Sequence, residues 1–373
     1  MTRWQTVSLG EAVELAYGKN LPKGSRAEGG TIPVYGSNGI TGWHSDALVN
    51  EPTVIVGRKG SAGAVQYVQS PCYPIDTTYF VRPRPGFRFD TKFLFYQLSK
   101  LDLSRLRTAT GVPGLTREDA YREQIRIPPI DEQRRIVDLL SRAEGIVKLR
   151  SEAKKMAAEL IPAIFMDMFG DPATNPKGWP AKPLVEVASF MSGGTPPKAR
   201  EDLWLGTLPW VSPKDMKVDC IVDAIDHVSD SVLTETNLKL VPIGSILIVV
   251  RGMILVHTVP IAITSTPVTI NQDMKALMPI KSIDPSFLLW ALKVQHPKLL
   301  GLVDTAAHGT KKLDTAKIQA VGIPVPPLQI QRQFIARADS VASIIAQQDS
   351  ALNKARATFE ALLARSFTTE ALA

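Results

Sequence analysis

Apolar and polar positions follow two different rhythms along this chain. Around residues 131–169 the apolar residues Leu139, Ala143, Ile146, Leu149, Ala153, Met156, Leu160 and Ile164 recur at helical spacing. A second stretch is more regular. Phe334, Ala338, Val341, Ile345, Gln348, Leu352, Ala355, Phe359 and Leu362 alternate steps of four and three, which is a heptad seam. Gln348 is its polar member and a candidate for fixing register. Both stripes are narrow and flanked by charges of mixed sign, so they predict two long helices that pair with each other. At about 1.5 Å per residue each rod is roughly 57 Å long. Asp131 and Gln329 follow Pro-Pro pairs and are expected at or near the helix N-caps. Gly170-Asp171-Pro172 is expected to end the first helix, and Pro162 to kink it or end it early.

The other rhythm is short. β-branched runs at residues 53–56, 64–68 and 79–81 are separated by Gly and Pro, with one helical stretch near 91–103 carrying Phe93, Tyr96 and Leu103. Residues 241–270 are strongly apolar, with Arg251 and His257 as their only strongly polar side chains. Pro242, Pro260, Pro267, Gly244 and Gly252 punctuate that stretch, which suits buried strands and not a membrane helix. His257 is expected to be a satisfied core residue. The fold class is therefore α/β (α+β), with irregular, loop-rich sheets.

These two patterns occur twice. Pro128-Pro129 with Gln133-Arg134 returns as Pro326-Pro327 with Gln331-Arg332, at an offset of 198. Ile146 meets Ile344, Phe169 meets Phe367 and Leu115 meets Leu313 at the same offset. Further back it slips to 194, where Asp90 and Phe93-Leu94 answer Asp284 and Phe287-Leu288. A slipping offset marks an insertion within a duplicated unit. The expected domains are 1–126, a central helix at 127–170, a second domain at 171–322 and a C-terminal helix at 323–373.

Composition narrows the chemistry. The 373 residues carry 43 Lys+Arg against 36 Asp+Glu, a net charge of +7 that leans towards a polyanionic partner. The first rod, residues 131–159, is almost neutral, so most of that excess belongs to the domains. Cys72 and Cys220 stand far apart with no CxxC, which disfavours a disulfide framework or a zinc site and fits a reducing compartment. The N-terminus has no signal-peptide core. No GxxxxGK[ST], GxGxxG, GxSxG or HExxH motif occurs, and the five histidines lack ligand spacing. The run Gly57-Arg58-Lys59-Gly60-Ser61-Ala62-Gly63 continues as strand where a phosphate loop needs a helix, and reads as a basic turn. No enzyme is expected.

Two similar domains and a helical rod describe a measuring device, and DNA with two half-sites is the ligand whose spacing it would measure. In this order the residues resemble the DNA-specificity (S) subunit of Type I restriction–modification systems. The resemblance rests on the two Pro-Pro-(x)₃-Gln-Arg helix starts, on Ile164-Phe165-Met166-Asp167-Met168-Phe169-Gly170-Asp171-Pro172, and on the similar openings at 4–9 and 179–184. The second copy departs from it with Gln329-Ile330 after its prolines. The resemblance implies two target recognition domains separated by two long helices forming an antiparallel coiled coil, a pseudo-twofold internal duplication. It further implies double-stranded DNA with a bipartite site, two methyltransferase (M) subunits that hold the S-adenosylmethionine, optional restriction translocase/nuclease subunits, no catalysis or cofactor in this chain, and a cytoplasmic location. A two-domain coiled-coil scaffold that binds proteins is the alternative.

Residue chemistry nominates the DNA contacts. In the first domain they are Tyr35, Ser37, Asn38, Arg58, Lys59, Ser61 and Thr110, on glycine-flanked turns that can approach a groove closely. In the second they are Ser212, Lys214, Arg251, Asn271, Gln272, His308, Thr310, Lys311 and Lys312, with the two lysines suited to phosphate. Gln133, Arg134, Gln331 and Arg332 are the expected docking residues for partner subunits.

Overall fold

The computed structural model describes residues 4–26, 29–108, 113–305 and 309–368. Its contacts divide the chain into two compact units, residues 1–152 with 350–373 and residues 153–349. Each unit thus takes one half of each long helix.

Unit 1 opens with β1 (Gln5–Ser8), α1 (Leu9–Ala12) and β2 (Val13–Tyr17). It continues through β3 (Ile32–Gly36), β4 (Gly39–His44), β5 (Thr53–Gly57), β6 (Val65–Val68), β7 (Tyr73–Pro74) and β8 (Thr78–Pro83). Then come α2 (Thr91–Leu101), α3 (Arg117–Tyr121), β9 (Gln124–Ile127) and α4 (Ile130–Phe169). The main sheet runs β2-β8-β5-β6 and a smaller one β4-β3-β7, while β1 pairs with β9. Leu94 and Leu98 of α2 pack on Val13, Leu15, Val54, Val56 and Val81 of the main sheet. At roughly 25 cal/mol per Å² of apolar surface, this burial is what holds the helix to the sheet. The helix starts where it does because Asp90 accepts bonds from the backbone N–H groups of Lys92 (2.9 Å) and Phe93 (3.1 Å).

Unit 2 repeats the plan. Its elements are β10 (Ala181–Pro183), α5 (Leu184–Val187), β11 (Ala188–Ser192), β12 (Leu208–Val211), β13 (Cys220–Ile221) and β14 (Asp226–Val228). They continue with α6 (Val232–Glu235), β15 (Ile246–Val249), β16 (Ile261–Thr264), β17 (Thr269–Ile270), β18 (Met274–Pro279), α7 (Pro285–Lys293) and α8 (His296–Gly301). The last are β19 (Val303–Thr305), β20 (Lys311–Leu313), α9 (Thr315–Gln319), β21 (Gly322–Pro324) and α10 (Leu328–Ser366). The sheet orders β11-β18-β15-β16-β13 and β14-β12-β17 match those of unit 1 strand for strand, with β13 added at one edge. Even the parallel pair recurs, β3 with β7 and β12 with β17. Asp284 caps α7 as Asp90 caps α2, with Pro285 at the first helical position. The duplication and the α/β class are therefore features of the fold. The apolar stretch 241–270 forms β15, β16 and β17, as expected, but His257 is exposed on the turn after β15 and is not a core residue.

Both long helices form, with 40 and 39 residues. In unit 2 they pair antiparallel: Phe165 and Phe169 near the end of α4 meet Phe334 near the start of α10, and Lys154 meets Asp349 at 2.5 Å. In unit 1 the start of α4 shares a cluster with the end of α10, where Ile136 and Leu140 join Phe359, Leu362 and Phe367. The α10 seam lies where its heptads place it, with Phe334, Ala338, Val341 and Leu352 buried. Of the expected α4 stripe only Ala143 is buried. Leu149 is 66% exposed and Met156 69%, while Ile136, Leu140, Ala143, Ala157, Ile161 and Phe165 are buried. Asp131 lies in the first turn of α4 and does not cap it, since the helix already begins at Ile130. Pro162 is accommodated within α4, which runs on to Phe169 before Gly170, at φ +76°, ends it.

Candidate nucleic-acid interface

In unit 1, three loops at the ends of strands are tied together. The hairpin between β3 and β4 presents Ser37 and Asn38, and the Ser37 Oγ donates to the Lys59 carbonyl at 2.5 Å. Lys59 sits in the turn after β5, whose Arg58 and Lys59 amides both donate to the Thr77 carbonyl. That turn is bonded in turn to the segment before α3, Gly60 N to Pro113 O at 2.9 Å and Leu115 N to Arg58 O at 2.9 Å. Gly63, at φ +82°, closes the turn, and a Cβ there would run into the Ser104 backbone. Ser37, Asn38, Arg58, Lys59 and Ser61 are thereby brought to one place. Lys59 and Asn38 are exposed; Arg58 is half-buried and donates to the Asp76 carbonyl at 2.8 Å.

The same scaffold recurs in unit 2. Leu313 N donates to Val250 O at 2.9 Å and Gly252 N to Lys311 O at 3.0 Å, while the Val250 and Arg251 amides share the Asp273 carbonyl. These bonds align Val250 with Arg58, Arg251 with Lys59 and Gly252 with Gly60. Isolated bridges agree, Lys59 with Gly114 and Arg251 with Lys312. Each unit therefore displays one exposed cation, Lys59 or Arg251, at the same point of the same loop. Lys312 pairs with Asp314 at 2.6 Å, and Lys311 donates to Thr305 Oγ1 at 2.7 Å. The hydrogen bond from Lys312, reinforced by its charge, holds the Asp314 carboxyl below the usual range. Lys214 pairs with Asp226 at 2.6 Å. Such exposed pairs are worth about 0–1 kcal/mol and exchange readily for a phosphate.

Other nominated residues have different tasks. Ser212 is buried, and its amide and hydroxyl both donate to Asp215, at 2.8 and 3.0 Å. Asn271 is buried too, its side-chain oxygen accepting from the Asp273 amide and shaping the turn that holds Val250 and Arg251. Both are corrections: neither side chain reaches outward. Tyr35 packs against Ile55, Val68 and Cys72, and burial raises its hydroxyl pKa and pushes the Cys72 thiol up to about 11. Gln272 is exposed and accepts from the Thr195 hydroxyl, and Thr310 is half-buried. Thr110 and His308 lie outside the described residues.

The docking residues also divide. Gln133 is 1% exposed and Gln331 0%. Gln133 Oε1 accepts from the Asp90 amide at 2.9 Å, and its Nε2 donates to the Arg88 and Pro128 carbonyls at 3.1 and 3.0 Å. Gln331 repeats this with the Asp284 amide and the Ser282 and Pro326 carbonyls, at 2.8, 3.0 and 2.8 Å. These side chains clamp the sheet domain to the foot of its long helix and are closed to a partner. Arg134 and Arg332 are exposed at the same turns. Among the described residues no group of three or more His, Cys, Asp or Glu is placed to hold a metal, and no helix is long and apolar enough to cross a membrane.

The model of the Type I restriction modification DNA specificity domain matches residues 1–157 and 176–354. The chain belongs to this family. It is 32% identical over 155 residues to the Type I restriction enzyme EcoR124I/EcoR124II specificity subunit of Escherichia coli, and 25% over 163 residues to the MjaIX specificity subunit of Methanocaldococcus jannaschii. Those alignments cover 41% and 43% of this chain but only 38% and 37% of the relatives' own lengths. The fold is shared over nearly the whole chain with the S subunit of a Type I system from M. genitalium (17% identity, 98% and 96% of the two chains, TM-score 0.60). A chain from a structural study of type I R-M complex assembly and conformational transition gives 21% identity, 99% of both chains and a TM-score of 0.66. As a member of the specificity family, the chain is placed among proteins of DNA sequence recognition.

Proposed function

We propose that this chain is the DNA-reading subunit of a Type I restriction–modification complex. Each recognition domain (1–126 and 171–322) contacts one half of a bipartite target, and the paired helices set the spacing between the halves. Two methyltransferase subunits dock along those helices and bring the S-adenosylmethionine and the adenine chemistry; restriction subunits join them in a complete system. The chain itself does no catalysis and works in the cytoplasm, where the host DNA lies. The observation that carries this reading is the repeated loop cluster, which supports an exposed cation at matching points, Lys59 and Arg251, on one scaffold built twice. A protein-binding scaffold has no need of a cation kept at both positions while its neighbours change.

The test is DNA affinity of the complex assembled with its methyltransferase partner, measured against salt. Lys59→Ala and Arg251→Ala are each expected to weaken binding several-fold. Loss of a phosphate contact lowers the salt slope by about one, whereas loss of a base contact relaxes preference in one half of the target only. Unchanged affinity and preference in both variants would remove the loop cluster from the interface.

A further inference from the structure

A second cluster in unit 1 stands beside this loop scaffold. The ring of Tyr17, at the end of β2, lies under two guanidiniums, with the Arg58 Cζ 4.9 Å and the Arg117 Cζ 4.4 Å from its centroid. Tyr79 is next to it, ring centroids 5.2 Å apart. Tyr17 is 46% exposed. Two cations held at one ring repel each other, and among the described residues neither guanidinium is in an ion pair with a carboxylate. Arg58 donates to the Asp76 carbonyl and also interacts with the Tyr79 hydroxyl, and the Arg117 Nε is buried with no hydrogen-bond partner. Cation–π attraction at an exposed site is worth about 0.5–1 kcal/mol. That is small against the tendency of two guanidiniums to seek acceptors.

Unit 2 supplies the internal control. The ladder of β2 with β8, from Val13↔Pro83 to Tyr17↔Tyr79, has the same register as β11 with β18, from Ala188↔Pro279 to Ser192↔Lys275. Tyr17 and Tyr79 are thus answered by Ser192 and Lys275, which bond to each other at 2.6 Å. Arg58 is answered by Val250, and Arg117, the first residue of α3, by Thr315, the first residue of α9. The backbone is the same and all four side chains differ. A residue set that the fold required would appear in both copies, as the Gln133 and Gln331 clamps do. A set that reads a different sequence in each domain need not.

We infer that Tyr17, Arg58 and Arg117 form a base-reading contact of unit 1, with the guanidinium donors directed at the acceptor edge of a guanine in the major groove. This rests on the reading of the chain as a DNA-binding subunit. Arg suits the role because its fork matches the guanine O6 and N7 acceptors, and a tyrosine platform fixes the fork's plane. Ser192 and Lys275 hold the corresponding place in unit 2 and serve a different base.

The experiment uses the full chain assembled with its methyltransferase partner, with three variants: Arg117→Thr, Tyr17→Ser and the charge-retaining Arg117→Lys. Affinity is measured for the native target and for unrelated duplex DNA at one salt concentration, and methylated sequences are mapped for each. Target affinity is expected to fall about 5- to 100-fold, the range of one lost bidentate base contact. Unrelated DNA should be affected much less, and methylation should relax at one or two positions within one half of the target. Arg117→Lys should lose discrimination as well, since a point charge lacks the fork. An equal loss on target and unrelated DNA would overturn the inference in favour of a phosphate contact, and so would unchanged binding by variants whose melting matches the parent. If the parent complex binds its target no better than the methyltransferase alone, the DNA-reading role itself fails.

Discussion

Gln133 and Gln331 occupy matching places at the foot of each long helix, and each makes three hydrogen bonds to backbone groups that have no other described partner of that kind nearby. The sequence marks them plainly, because Gln recurs at an offset of 198 beside identical prolines. What it cannot mark is direction. A repeated polar residue on a helix reads as a surface for a partner, and only the fold shows that Asp90 and Asp284, more than forty residues upstream, present their amides to it. Replacing either Gln with Ala leaves one buried carbonyl, of Pro128 or Pro326, unsatisfied at a cost of about 1–3 kcal/mol, and strips a part-buried amide and a second carbonyl of the same partner. Gln133→Ala and Gln331→Ala are therefore expected to destabilise the chain by at least about 2 kcal/mol in denaturant melts, whereas Arg134→Ala, on the exposed face of the same turn, should stay within about 0.5 kcal/mol. Melts in which Arg134→Ala costs as much as Gln133→Ala would mean that the clamp is not structural.

At the scale of the element, the two long helices show how far a periodic pattern can be trusted. The α10 heptads mark a seam whose members are all buried or half-buried. The α4 pattern offers two interleaved stripes, and the more apolar one faces outward at Leu149, Met156 and Leu160. The buried stripe is harder to see because its middle carries Lys154, which meets Asp349. The duplication itself contains the answer: Ile136, Leu140 and Ala143 stand 198 residues before Phe334, Ala338 and Val341. Transferring the register of α10 to α4 at that offset finds the true seam without coordinates. Phe165 packs on Phe169, Phe287 and Phe334, with ring centroids 4.8, 5.6 and 5.3 Å away. Phe165→Ala should cost about 3–5 kcal/mol, and Met156→Ala should leave the melting midpoint nearly unchanged. A larger loss for Met156→Ala than for Phe165→Ala would return the seam to the outer stripe.

For the whole molecule, the duplicated architecture was legible from two Pro-Pro-(x)₃-Gln-Arg segments, and the sheets built on the two copies agree down to the matching parallel pairs β3 with β7 and β12 with β17. The candidate contacts were legible only by type. Turns carrying Lys59 and Arg251 fall into one scaffold, while Ser212 and Asn271, equally plausible on paper, turn inward to shape their loops. Tyr17 and Arg117 carry no joint signal in the sequence, because they lie one hundred residues apart with no motif between them. What distinguishes them is that unit 2 replaces them on an unchanged backbone. A common scaffold thus carries separate reading surfaces. This arrangement is tested most directly by exchanging residues 1–126 for the corresponding domain of another specificity subunit and mapping methylated adenines across a genome that carries the hybrid with its methyltransferase. The expected map changes one half of the target and keeps the other half and the spacing between them. A map in which both halves change together, or neither does, would contradict modular reading by two duplicated domains.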